Sequence, residues 1–183
     1  MNLPNKLTLG RIFLVPFVIV FLVVGEKVPN YTAGVIFLAA VLTDWLDGHI
    51  ARNTSQVTAL GKLLDPIADK LLISTALIAL VQVGRAPAWM VVLIVGRELA
   101  ITGLRTVAAS QNIIIHASDF GKYKMLAEVA AVTFLILDWP PPQWHFIITP
   151  SLGFLSLWAA IILSIVSGVD YFLKFWKVID LSR

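Results

Sequence analysis

Apolar residues run through this chain in long stretches, broken at intervals by short polar or proline-bearing segments. Read as runs bounded by charges or turn residues, they predict six long helices, at roughly 9–25, 31–52, 59–82, 88–109, 120–138 and 147–175. Val28-Pro29-Asn30, the stretch Gly84 to Pro87 and the run Pro140-Pro141-Pro142 supply turns between several of them. Some purely apolar cores are shorter than the roughly 20 residues that cross a bilayer. Each is completed only if charged residues at one end belong to the same helix. The segment Pro4 to Gly10 is polar enough to lie on a membrane surface. The expected fold is therefore all-α and integral to the membrane: six transmembrane helices preceded by a short amphipathic N-terminal helix. No polar linker divides the chain, so residues 1–183 are expected to form one domain.

Composition sharpens the solvent question. Only 14% of residues are charged, where a soluble domain carries about a quarter. With 58% hydrophobic residues spread over the whole length, lipid is the expected surrounding. The absence of cysteine excludes disulfides, thiolate metal sites and thiol nucleophiles. Lys6 and Arg11 ahead of Ile12 to Val24 imitate a secretory signal, but no small-residue cleavage site follows and further apolar segments do. This stretch reads as the first membrane helix.

Charge placement then gives an orientation. With six spans, one side collects Lys6, Arg11, Arg52, Lys62, Lys70, Arg97, Arg105, Lys122, Lys124, Lys174, Lys177 and Arg183. The other side receives Lys27 and Arg85. The cation-rich side is expected to be cytoplasmic, with both termini on it, which implies the inner (plasma) membrane of a cell.

The chemistry concentrates in Asp44-Trp45-Leu46-Asp47-Gly48-His49-Ile50-Ala51-Arg52 and Gly61-Lys62-Leu63-Leu64-Asp65-Pro66-Ile67-Ala68-Asp69. At about 100° per residue, Asp44 and Asp47 share a helix face with Gly48 and Ala51 beside them. Thr58, Gly61, Asp65 and Asp69 share a face on the next helix. Two antiparallel helices joined by the polar loop Asn53 to Val57 can bring these faces together, and the small residues leave room for close approach or a ligand. Pro66 is a potential kink beside Asp65. Four converging carboxylates repel one another and are costly to desolvate. An ion-pair network with Arg52, Lys62 and Lys70 would relieve this, but it needs no small residues on the same faces. Divalent metals relieve it better, and an oxygen-only ligand set suits Mg²⁺ or Mn²⁺. Two ions about 3.5–4 Å apart would stabilise the attacking and leaving oxygens of a phosphoryl displacement.

The spacing D-x2-D-G-x2-A-R-x8-G-x3-D-x3-D is complete from Asp44 to Asp69 and resembles the signature of the CDP-alcohol phosphatidyltransferases. That resemblance implies a membrane enzyme transferring a phosphatidyl group from CDP-diacylglycerol. It implies that Asp44, Asp47 and Asp65 hold metals, and that Asp69 both contacts a metal and acts as general base on the acceptor hydroxyl. Gly48, Arg52 and Thr58 would contact the cytidine diphosphate, with Asn5 and Thr8 as N-terminal donor contacts. The physics is compatible, since Gly48 admits close backbone approach and Arg52 offers a fork of donors to a pyrophosphate. Asn5 and Thr8 could otherwise be ordinary helix caps. The family also implies a homodimer.

The acceptor must be read outside the signature. Gly96-Arg97-Glu98, Leu104-Arg105 and Gly121-Lys122-Tyr123-Lys124 fall on the side of the aspartates. An acceptor carrying its own phosphate needs such cations. The pattern is similar to the branch of the family whose acceptor is sn-glycerol 3-phosphate, making phosphatidylglycerol phosphate and CMP. Arg105, Lys122 and Lys124 are the expected phosphate ligands, ahead of Arg97, while Glu98 is expected to pair with a neighbouring cation. Inositol phosphate, serine or another alcohol is the alternative acceptor. A small cation transporter is a distant alternative, which would spread its aspartates through the membrane depth instead of clustering them. No nucleic-acid partner is expected. His49, His116 and His145 carry no role, the six tryptophans read as interfacial anchors, and Asp138 and Asp170 as span ends or polar interior contacts.

Overall fold

The computed structural model describes the backbone of residues 3–24, 31–54, 59–110, 119–137 and 151–180. Side chains are described there except at 3–8, 44–66, 69, 110, 119–120 and 177–180. The described residues form six helices and no strand: α1 (Leu3–Val24), α2 (Tyr31–Thr54), α3 (Ala59–Gln82), α4 (Ala88–Ser110), α5 (Asp119–Leu137) and α6 (Leu152–Asp180). Each coincides with one apolar run. The start of the chain differs from expectation. Pro4 to Gly10 is not a separate surface helix but the first turns of α1. Pro4 falls in the first helical turn, where the missing N–H has no partner to lose. Gly10 costs only about 1 kcal/mol relative to alanine, too little to break a helix that is packed over its later turns.

The turn between α3 and α4 shows how local chemistry ends a helix here. Gly84 has φ of +73°, a conformation glycine adopts freely. The Arg85 N–H donates to Leu80 O at 2.8 Å and the Gly84 N–H to Val81 O at 3.0 Å, which together satisfy the last carbonyls of α3. Pro87 then starts α4 by accepting from the Met90 N–H at 3.1 Å. Arg85 has a second task. Its Nη1 donates to Ile136 O at 2.7 Å and Leu135 O at 3.3 Å, capping the C-terminal end of α5 with a positive charge. That buried arginine is thereby accounted for on the otherwise cation-poor side.

Around this turn α5 and α6 pack most extensively, α4 lies along α6, and α3 touches both α4 and α5. Helix α1 packs against both α2 and α3. Over their described lengths α2 and α3 lean on α1 far more than on each other. Phe37, Leu72, Leu77, Leu80, Met90, Ile94, Leu135 and Leu157 are fully buried in one continuous core. At Gly153 the backbone of α6 approaches α5 so closely that a Cβ would lie 3.0 Å from the Leu135 backbone nitrogen.

Large apolar residues also cover much of the outer surface. Phe13, Phe17, Val35, Leu99, Leu126, Ile162 and Trp176 are all exposed, while Arg11, Arg85, Lys124 and Glu128 are buried. A water-soluble fold distributes these residue types the other way round. Trp89 and Trp158, with Phe154 beside them, form an edge-to-face cluster between α4 and α6. Among the described residues one segment, Leu152–Trp176, is by itself long and apolar enough to cross a bilayer; shorter apolar stretches occupy Leu9–Val24, Tyr31–Thr43 and Lys70–Gln82.

Candidate active site

The backbone is helical through both halves of the aspartate signature. Asp44, Asp47, Gly48 and Arg52 lie in the last turns of α2, and Asp65 and Asp69 in the first half of α3. Asn5 and Thr8 lie within α1. The side chains of all these residues, and Thr58 entirely, lie outside the described residues. Among the described side chains no group of three or more metal-ligating residues occurs.

What is described in full is a cavity of about 320 Å³ between α3, α4 and α5. Lys70, Arg97, Arg105, Lys122 and Lys124 line it, opposed by Glu98 and Glu128. Among the described lining residues cations outnumber carboxylates five to two, a balance attractive to an anion. Ile73, Ile94, Ile101 and Met125 supply its apolar walls. All three acceptor cations read from the sequence reach this one cavity.

Their surroundings separate them. Lys124 is buried between two carboxylates, with Nζ 2.5 Å from Glu98 Oε1 and 3.2 Å from Glu128 Oε2, one turn away on α5. Arg97 pairs with the same Glu98 oxygen and donates through Nη2 to Ser167 Oγ on α6 at 2.7 Å. Glu98 thus pairs with neighbouring cations, as expected, and joins α4 to α5. Arg97 thereby ties α4 to α6. Lys70 donates to Thr102 Oγ1, whose hydroxyl donates in turn to Glu98 O at 2.6 Å. Arg105 is more open, its guanidinium carbon 5.0 Å from the ring centre of the buried Tyr171. Lys122 is exposed at the mouth. Asp170 pairs with Lys174 at 2.7 Å, one turn on in α6, and lies inside the apolar segment Leu152–Trp176 as a paired polar contact, not at its end.

Sequence reasoning passed over Glu128, Thr102, Ser167 and Tyr171. Glu128 did leave a signal: it is a carboxylate inside an apolar helical run, four residues after Lys124. The other three carry none, since each matters only through a partner on another helix.

A family model, CDP-alcohol phosphatidyltransferase, matches residues 1–166. The chain belongs to the CDP-alcohol phosphatidyltransferase family. It is 43% identical, over 100% of its length and 99% of the relative's, to a Bacillus subtilis protein named CDP-diacylglycerol–glycerol-3-phosphate 3-phosphatidyltransferase. A Rickettsia bellii protein of the same name is 34% identical over 93% of each chain. An Oryza sativa protein named cardiolipin synthase (CMP-forming) is 35% identical over 98% of this chain and 59% of its own. For a membrane phosphatidyltransferase the inside-out surface follows directly, since lipid on the outside welcomes the exposed phenylalanines and leucines. The cation-lined cavity on α3, α4 and α5 lies largely outside the 44–69 signature, where members that differ in acceptor have room to diverge.

Proposed function

We propose that this protein transfers the phosphatidyl group of CDP-diacylglycerol to sn-glycerol 3-phosphate, releasing phosphatidylglycerol phosphate and CMP in phospholipid biosynthesis. The observation that carries this reading is the cation-lined cavity, a pocket suited to a small phosphate ester. The full-length similarity to two relatives named for that activity supports the same acceptor. Residues 1–183 act as one domain of six membrane spans, α1 to α6. The N-terminus, C-terminus and active site face the cytoplasm, and the protein works as a homodimer.

Asp44, Asp47, Asp65 and Asp69 are the residues that would hold two Mg²⁺ or Mn²⁺ ions. Their donor chemistry fits, being four carboxylates on helical backbone with no sulfur between positions 44 and 69 and His49 at a position the signature does not fix. When bound, such ions neutralise the diphosphate and stabilise charge on the entering and leaving oxygens. The chain's own residues do the rest. Arg52 and Gly48, with Asn5, Thr8 and Thr58, hold the nucleotide while the acyl chains stay in lipid. Arg105, Lys122 and Lys124 hold the acceptor phosphate, with Glu98 and Glu128 fixing Lys124 in place. By helical register position 69 falls one turn before Ile73, which lines the cavity. That spacing supports Asp69 as the base that takes the proton from the 1-hydroxyl of glycerol 3-phosphate. The freed oxygen attacks the phosphorus bonded to diacylglycerol, and CMP leaves on the opposite side.

Radiolabelled CDP-diacylglycerol offered with glycerol 3-phosphate, inositol phosphate, serine or phosphatidylglycerol tests the acceptor. CMP release is expected with glycerol 3-phosphate, abolished by EDTA and restored by Mg²⁺ or Mn²⁺. Turnover with another acceptor alone would displace this reading. Full activity in a folded Asp69→Asn protein would remove the base.

A further inference from the structure

Helix α6 brings no residue to the signature, yet one of its faces reaches the acceptor cavity from behind. Ser167 accepts from Arg97 Nη2 at 2.7 Å. Gly168 leaves space for the same arginine, since a Cβ there would lie 3.3 Å from its Nε and 3.4 Å from its Cγ. One turn on, Tyr171 is 4% exposed and places its ring 5.0 Å from the guanidinium carbon of Arg105. These positions recur at the spacing of a single helix face. They also lie beyond residues 1–166, the stretch that the family model matches.

We infer that Tyr171 is a positioning residue for acceptor binding: its ring holds the Arg105 guanidinium toward the cavity where the acceptor phosphate is bound. This rests on the acceptor reading above. Arginine loses considerable rotamer freedom when it is fixed, and a buried aromatic face beneath it means that loss occurs before the ligand arrives. The ring also keeps one side of the guanidinium dry while leaving its edge N–H donors for phosphate oxygens. Tyr171 touches neither substrate nor reacting atoms, so its removal weakens acceptor binding and leaves the chemical step alone.

The test is steady-state kinetics of the full-length protein in lipid–detergent micelles, varying glycerol 3-phosphate at saturating CDP-diacylglycerol. Tyr171→Leu is expected to raise KM for glycerol 3-phosphate by about two- to thirtyfold, the range a cation–π contact spans, with kcat little changed. Tyr171→Phe keeps the ring and is expected to restore most of that loss. In an Arg105→Ala background Tyr171→Leu is expected to have no further effect on KM. A fall in kcat at constant KM, a Phe variant as impaired as Leu, or effects that multiply in the double variant would each overturn the inference. Wild-type protein that released no CMP with glycerol 3-phosphate would remove the acceptor reading and this role with it. Wild-type turnover with an unchanged KM in Tyr171→Leu would remove the role of Tyr171 alone.

Discussion

Lys124 shows how this bundle tolerates charge in its interior. An ammonium buried without partners would lose its proton or unfold its surroundings. Here Glu98 and Glu128 flank it from two helices, and Glu98 also takes Arg97, so no single contact holds the cluster. Such clusters are vulnerable to the loss of one member, because the partner charges remain buried. Glu98→Ala strips Arg97 and Lys124 of their shared carboxylate and is expected to cost on the order of 3 kcal/mol of stability. Glu98→Gln, which keeps one acceptor oxygen, is expected to cost less. Thermal unfolding in detergent measures both, and an Ala variant melting with the wild type would show the cluster to be energetically idle. The same substitution frees Lys124 to move, so KM for the phosphate acceptor is expected to rise in whatever fraction stays folded.

At the scale of the helices, what was legible in the sequence depended on whether the information was local. The six apolar runs gave the boundaries of α2 to α5 within two residues, because a long apolar stretch with turn residues at its ends has few other ways to satisfy its backbone, while α1 begins six residues earlier than read and α6 is shifted by five. The turn at Gly84 to Pro87 was readable for the same reason: its glycine and proline act on their own neighbours. Pro4 to Gly10 was misjudged because its polarity suggested a surface segment, whereas continuity with α1 decides its backbone. The aspartate signature was legible through its spacing alone. Tyr171 and Ser167 were not, since helices apolar on all sides give no periodic clue to which faces meet. Gly153 belongs with them, its role visible only once Leu135 of α5 lies against it. A valine there would drive methyl groups into the Leu135 backbone, which cannot move aside as a side-chain tip can. Gly153→Val is therefore expected to destabilise the α5–α6 pair by about 1–3 kcal/mol. Gly168→Ala, facing only the flexible Arg97 side chain at 3.3 Å, is expected to cost much less. Comparing the two melting temperatures tests whether backbone contact is the distinction that matters, and equal losses would refute it.

For the whole molecule, the arrangement that joins fold to function is a bundle with large apolar residues on its outside and a cluster of charges buried between α3, α4 and α5. The lysines and arginines of the cavity come from α3, α4 and α5, helices that would alternate in direction in a six-span bundle. Successive crossings of the bilayer would bring them together at one end of the bundle. Six crossings would leave the α2–α3 and α4–α5 connections on the side of the aspartates, and the α1–α2 and α5–α6 connections on the other. Because the chain contains no cysteine, this can be mapped without first removing native thiols. Single substitutions Ser55→Cys and Asn112→Cys would report one side, and Lys27→Cys and Gln143→Cys the other. In intact cells a membrane-impermeant maleimide is expected to label only positions 27 and 143, and in inverted vesicles only 55 and 112. Phosphatidyl transfer at the cytoplasmic face requires that pattern, since glycerol 3-phosphate and CDP-linked donors must arrive where the cation-rich cavity opens. Labelling of 112 and 143 from the same side would mean that α5 does not cross. The cavity would then have to be assembled at the membrane surface, where water screening would leave Lys124 far less need of two carboxylates.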